Sequence, residues 1–200
     1  MRLIINSYLT KINKTSRKFF IMLLIVGLGN KGNEFINTPH NIGREMITLF
    51  VKNHQFNCFS LNKKLRALIS KNGDVIFALP QCFMNESGEI VKKLVNYFGI
   101  SLQNLLIVHD DADIKLGKIK IQKNRNAAGH KGVISIIHYL RSKNFWRLRI
   151  GIRTERLPSE KAKELVLKKF NKEENKILAE IVPRIFKSLD EWVAKIEKSH

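Results

Sequence analysis

Leu105–Val108 is four aliphatic residues in a row, with no polar side chain to turn toward water. A run that short and that uniform fits a strand buried on both faces, and such strands lie in sheets covered by helices on either side. The rest of the chain supplies suitable helices. Asn41–Asn53 carries Ile42, Met46, Leu49 and Phe50 at helical spacing. Glu86–Phe98 carries Ile90, Val91, Leu94, Val95 and Phe98 ahead of a stop at Gly99, and Gly132–Leu140 reads as a third helix. Lys172–Val182 and Pro183–Lys198 read as two closing helices, the second with Ile185, Leu189, Trp192, Val193 and Ile196 along one face. Further strands are expected at Leu23–Val26, ended by Gly27, and at Arg147–Ile152. Leu65–Ser70 and Asp74–Leu79 form a hairpin turned by Lys71-Asn72-Gly73. Gly117–Gln122 alternates Ile119 and Ile121 with Lys118 and Lys120, the period of a half-buried strand. Strands and helices interleave throughout, so the expected class is α/β: one domain, with a mixed twisted sheet flanked by helices.

At 200 residues the chain has the length of one domain. Its longest apolar run, Phe19–Val26, falls far short of the roughly 20 residues a membrane span needs. Charge is the unusual quantity. There are 36 basic and 17 acidic residues, a net +19, and the excess is uneven: residues 115–153 hold 11 basic side chains and no acidic one. A Lys-rich proteome would not strip one window of acids while leaving 155–200 with 11 basic and 9 acidic groups. The pattern points to a polyanionic partner, nucleic acid first. Cys58 and Cys82 form no metal-ligand spacing and no disulfide framework, and a reducing compartment suits them. Residues 1–21 are basic and acid-free. They read as an organelle transit peptide, an RNA-binding arm, or sequence upstream of a start at Met22. Met22 abuts the first strand, which favours the last reading, with a domain over 22–200 and organelle import less favoured.

Several segments carry chemistry. Gly27-Leu-Gly-Asn-Lys-Gly32 fits a dinucleotide fingerprint, but Pro39 follows where a helix should run. A tight loop presenting Asn30 at a strand end is the better reading. His40 lies at the mouth of the helix after Pro39, where an imidazole suits proton abstraction near neutral pH or is merely structural. His109-Asp110-Asp111-Ala112-Asp113 gathers three carboxylates past a buried strand. One of them can orient a histidine, the group can hold Mg²⁺, or it is a solvated turn. Asn85, in Phe83-Met84-Asn85, is either a helix cap or an amide that grips a peptide or a water. Gly129-His130-Lys131-Gly132 precedes a helix start, a ready anion site. No nucleophile elbow is present, and neither cysteine sits in a nucleophile context.

In order along residues 22–195, these segments resemble the bacterial-type peptidyl-tRNA hydrolases. GLGNKGNEFINTPHNIG is similar to the family's GLGNPGxxYxxTRHNxG, QCFMNESGE to xTxMNxSG, and VHDDADIKLGKIKI to HDDLDLPxGKxxL. AAGHKGVISII is similar to GGHNGLxSI, FWRLRIGI to FxRLRIGI, and VLKKFNKEE to the segment before the last helices. The resemblance implies an enzyme that hydrolyses the ester between a peptide and the terminal ribose of tRNA. It implies His40 as general base on water and Asp110 as its orienting acid. Asn30, Phe35, Phe83, Asn85 and Lys131 would hold substrate, with no metal and no cofactor. It implies peptidyl-tRNA as partner through the acceptor stem and CCA end, a monomer, a cytoplasmic location and no membrane contact. Phosphate contacts are expected from Lys118, Lys120, Lys123, Arg125, Arg147 and Arg149, with Gln122 at one family lysine position. The departures are Lys131 for the GHNG asparagine, Lys31 for the NPG proline, Pro39 for the TRH arginine and Phe35 for the usual tyrosine. The alternative is a non-catalytic RNA-binding relative, like the chloroplast splicing factors that resemble this family.

Overall fold

The computed structural model describes residues 21–155 and 166–198, so most of the N-terminal basic stretch lies outside the described residues. The strands are β1 (Leu23–Gly27), β2 (Ser60–Asn62), β3 (Ala67–Asn72), β4 (Val75–Pro80), β5 (Leu105–Lys115), β6 (Ile119–Lys123) and β7 (Trp146–Arg153). They form one sheet in the order β2-β3-β4-β1-β5-β7-β6. The four inner strands β4, β1, β5 and β7 are parallel, while β2, β3 and β6 pair antiparallel at the margins. The expected mixed α/β sheet is what forms, and the all-aliphatic start of β5 lies between β1 and β7.

Among the described residues four α-helices cover the sheet: α1 (Ile42–Asn53), α2 (Ser87–Phe98), α3 (Lys131–Leu140) and α4 (Lys172–Lys198). Strand alternation divides the core between the two faces. Leu23 and Ile25 of β1, with Leu106 and Val108 of β5, pack against α1 and α4. Leu24 and Val26, with Leu105 and Ile107, pack against α2 and α3. Every one of these eight side chains is fully buried, which is why β1 and the first four residues of β5 carry no polar side chain.

Three expectations need correction. Leu49 does not face the core; it is 44% exposed, and Ile47 and Val51 are buried in α1 alongside Ile42, Met46 and Phe50. The β3–β4 turn is Gly73-Asp74, later than read, because Asn72 still pairs with Val75 and Gly73 supplies the positive φ. The two closing helices are one, with Pro183 inside it. Leu178, Ile181, Ile185, Leu189, Trp192 and Ile196 keep one buried stripe across the proline. Burying each such side chain is worth about 1.5–3 kcal/mol, against about 3 kcal/mol for an interior proline. Packing therefore carries the helix through. Pro183 is exposed, so Pro183→Ala restores a backbone donor without disturbing the core. It is expected to stabilise the fold by about 1–3 kcal/mol, read as a higher thermal midpoint. An unchanged or lower midpoint would contradict this balance.

Candidate active site

β1, β4 and β5 run the same way, so the loops leaving their carboxyl ends converge, as ligand sites do in parallel sheets. The loop after β1 carries Asn30, the loop after β4 carries Phe83 and Asn85, and β5 itself carries His109, Asp110 and Asp111. Gly43 lets the first turn of α1 rest against β5, since a Cβ there would collide with the Val108 carbonyl. The contact is fixed by the Arg44 amide donating to the Leu28 carbonyl at 2.8 Å. It brings the short 3₁₀ turn Pro39–Asn41 beside the end of β5, and His40 beside Asp110.

His40 Nδ1 lies 3.0 and 3.1 Å from the two carboxylate oxygens of Asp110. A second imidazole closes on the same group: His130 Nε2 lies 2.8 Å from Asp110 Oδ1. The backbone decides the tautomer of His130. Its Nδ1 accepts the amides of Gly132 at 3.1 Å and Val133 at 3.3 Å, so its proton sits on Nε2 and points to Asp110. The amides at the head of α3, expected to bind an anion, are thus capped by the protein's own histidine. When neutral His40 donates Nδ1–H to Asp110, its Nε2 lone pair is left free, and Nε2 makes no hydrogen bond among the described residues. Burial alone would raise the Asp110 carboxyl, but the His40 and His130 imidazoles beside it hold it well below the usual carboxylate range. His40, Asp110 and His130 each offer a ligand atom within 4.8 Å of the others. A metal on His130 Nε2 would force the proton onto Nδ1, against two backbone donors. The arrangement therefore suits a hydrogen-bonded relay rather than a metal cage.

His109 is buried beneath this cluster, 4.7 Å from the His130 ring, and its Nδ1 donates to the Asp110 carbonyl at 2.6 Å. Burial, with the His130 imidazole next, pushes its pKa well below the usual histidine value. The folded protein keeps His109 neutral while the unfolded chain protonates it near pH 6.5. Stability from this site is therefore present above that pH and declines as pH falls, by up to about 1.4 kcal/mol per pH unit. His109→Asn is expected to flatten the fall of thermal midpoint between about pH 7.5 and 5.5. An identical slope would refute the linkage.

Amide side chains hold the neighbouring loops. Asn41 Oδ1 accepts the Asn30 amide at 2.8 Å and its Nδ2 donates to the Asn30 carbonyl at 3.0 Å. Asn30 Oδ1 in turn accepts the Met84 amide at 2.7 Å. The carbonyl half of the Asn30 side chain is thereby used. Asn85 and Lys131 share one groove beside α3. Phe83 is 57% exposed and meets Phe35 edge to face at 6.3 Å between ring centres.

The six expected phosphate contacts separate into two groups. Lys118, Lys120 and Arg125 are exposed and Lys123 is half-buried over the Trp146 ring. Arg147 and Arg149 are buried instead: they alternate along β7 with Leu148, Ile150 and Ile152 of one core face, and on the other face Arg147 donates to the Asn126 carbonyl at 3.0 Å. Arg149 Nε donates to Asp111 at 2.6 Å and Nη1 to Gln122 at 2.6 Å. It reaches a polar pocket of about 330 Å³ that Arg125 and Lys143 also line. Arg147 is 1% exposed, and burial, with Arg149 beside it, lowers its pKa to about 10. His130 and Asn41 went unassigned in the sequence. The signal for His130 was its place as the last residue before a helix, where a side-chain acceptor caps the free amides.

A family model described as peptidyl-tRNA hydrolase matches residues 24–200. The peptidyl-tRNA hydrolase of Mycoplasma mycoides subsp. mycoides is 38% identical over 160 residues, covering 78% of this chain and 85% of that protein. That of Lawsonia intracellularis is 38% identical over 174 residues, covering 85% and 86%. The crystal structure of peptidyl-tRNA hydrolase from Acinetobacter baumannii superposes with a TM-score of 0.80 at 27% identity, covering 92% of this chain and 94% of that one.

Proposed function

The chain belongs to the peptidyl-tRNA hydrolase family and is a hydrolase acting on peptidyl-tRNA, and on that premise we propose that His40 is its general base and Asp110 the group that orients it. The observation that carries this reading is the carboxylate of Asp110 on His40 Nδ1, which leaves Nε2 free at the junction of three strand ends. Nε2 takes a proton from a water molecule, and the water oxygen attacks the ester carbonyl carbon. The NH₂ groups of Asn30 and Asn85 are the donors suited to the negative oxygen that develops. The C–O bond to the ribose then breaks, and the leaving oxygen takes the proton back from His40. The products are a peptide carboxylic acid, which releases its proton to solvent at neutral pH, and a tRNA with its terminal hydroxyl restored. Ester hydrolysis by this route asks for no metal and no cofactor. Lys131 replaces an amide with a pure donor, so it serves phosphate or carbonyl oxygens only.

The exposed cations Lys118, Lys120 and Arg125, with half-buried Lys123, track acceptor-stem phosphates, with Arg149 at the floor of the polar pocket, while Arg147 supports that floor from beneath. The same reading makes the enzyme a cytoplasmic monomer. Release of labelled peptide from N-acetyl-aminoacyl-tRNA tests the reaction, with free-amine aminoacyl-tRNA as control. Cleavage of the blocked substrate alone supports it; tRNA binding without cleavage would leave the RNA-binding alternative. Lys120→Ala or Lys123→Ala is expected to weaken tRNA binding and lower the slope of log affinity against log salt by roughly 0.7–0.9 per phosphate lost. Hydrolysis of a small acyl-ribose ester should be untouched. Equal loss on both substrates would remove these residues from the tRNA path.

A further inference from the structure

The turn that carries His40 is anchored at its back as well as on Asp110. Glu45, near the start of α1, accepts the Asn37 backbone amide on Oε1 at 2.6 Å, the short distance of a charged acceptor. Asn37 has a φ of 64°, a left-handed backbone that asparagine tolerates but that few residues adopt unaided. Its carbonyl accepts the Phe170 amide at 2.9 Å, and its Nδ2 donates to the Phe170 carbonyl at 3.3 Å. Three residues further on, the His40 amide donates to the Val166 carbonyl at 3.1 Å. Val166 and Phe170 are themselves buried in the core, and Asn171 and Glu174 exchange two bonds, at 2.9 and 2.8 Å, that fix the head of α4. The turn is thus tied to α1 on one side and to the approach of α4 on the other. Between the ties, the Asn41 amide donates to the Thr38 carbonyl at 3.0 Å and Thr38 Oγ1 donates to the Phe35 carbonyl at 2.8 Å, so little slack is left.

We infer that Glu45 is a positioning residue for the reaction: through Asn37 it fastens the His40 turn between α1 and the head of α4, and so keeps His40 Nδ1 on Asp110. The inference rests on the proposed role of His40 as base. Asp110 does not set the ring position by itself, because one of its oxygens also serves His130. A side-chain bond lets an imidazole pivot, whereas the main-chain ties fix where the ring starts from. Among the described residues the one hydrogen-bond partner of Glu45 is the Asn37 amide, so the carboxylate acts on the turn and on nothing else. Released from it, Asn37 can leave the left-handed region, and the three residues to His40 shift with it. A misplacement of about 1 Å at a reacting group costs on the order of 10²-fold in rate.

The test compares Glu45→Ala, Glu45→Asp and Glu45→Gln in the full-length protein, well below their thermal midpoints. Two properties are read: kcat and KM on N-acetyl-aminoacyl-tRNA, and the His40 tautomer by long-range ¹H–¹⁵N NMR. Glu45→Ala should lower kcat by about 10- to 100-fold with KM unchanged, and neutral His40 should pass from the Nδ1–H form to a mixture of both. Glu45→Asp keeps the charge but falls a methylene short of the Asn37 amide, so it should behave like Glu45→Ala. Glu45→Gln keeps an oxygen for that amide and should recover most of the loss. A Glu45→Ala variant with a lower midpoint but wild-type kcat and tautomer overturns the inference, since Glu45 would then only support the fold. A loss that falls on KM overturns it too, as does recovery by Glu45→Asp rather than Glu45→Gln. His40→Ala is measured alongside. If it stays active, His40 is not the base, whereas the tautomer comparison still decides whether Glu45 places the ring.

Discussion

His40→Ala is expected to lower kcat/KM for N-acetyl-aminoacyl-tRNA by about 10²–10⁴-fold, the range a positioned general base supplies. The loss should fall on kcat, because His40 is small and lies apart from the exposed cations that hold the tRNA. The side chain is mostly buried and is the first of the two imidazoles that hold the Asp110 carboxyl ionised, so the thermal midpoint should fall somewhat, and activity is compared well below it. Its backbone amide donates to the Val166 carbonyl at 3.1 Å, and alanine keeps that bond. Peptide release under single-turnover conditions, beside tRNA affinity by filter binding, separates the two quantities. Retention of more than about a tenth of wild-type kcat would remove His40 from the role of base.

Asp110→Asn is expected to cost about as much as His40→Ala, and for a reason specific to this cluster. His130 is locked as an Nε2–H donor by the two amides it caps, so it claims the single carbonyl oxygen of an introduced asparagine. The asparagine NH₂ then faces His40 Nδ1, which must accept, and the His40 proton moves to Nε2. The base is lost by tautomer exchange with the geometry intact, so a loss of about 10²–10⁴-fold in kcat with little change in KM is the expectation. Combining His40→Ala with Asp110→Asn should add almost nothing. Asp110→Asn with His130→Ala should be more active than Asp110→Asn alone, because the freed carbonyl can accept from His40 again. A double variant no better than the single one would refute the tautomer account. Asp110 also contributes to stability. Its carboxyl is depressed in the folded state, so its contribution is present above about pH 4 and lost as acid titrates it. Asp110→Asn should therefore lower the thermal midpoint at neutral pH and weaken its dependence on acid.

The parts of the fold written in local pattern were legible. Strand β1, the head of β5 and helices α1 to α3 follow from runs and spacings that need no distant partner. Pro183 misled because its local rule competes with a burial stripe that only the finished sheet provides. Arg147 and Arg149 read as surface cations because their strand's neighbours are not in its own sequence. Once β6 pairs with β7, alternation puts both guanidinium groups inside. The candidate site was legible as segments, since His40, Asp110, Asn30 and Asn85 stand at strand ends or helix mouths. His130 was not, because its role lies in what its two nitrogens face, and that is settled by a helix start meeting a strand end from 20 residues away.

Asp110 draws one imidazole from 70 residues before it and another from 20 after it, and both bonds form only when α1, β5 and α3 have docked on the same sheet. On the roles proposed for His40 and Asp110, catalytic competence is therefore a late event in the life of the chain. During refolding from denaturant, far-UV ellipticity should recover in earlier phases, while hydrolase activity should return only with the last cooperative one. Turnover is, for this protein, an assay of its own maturation.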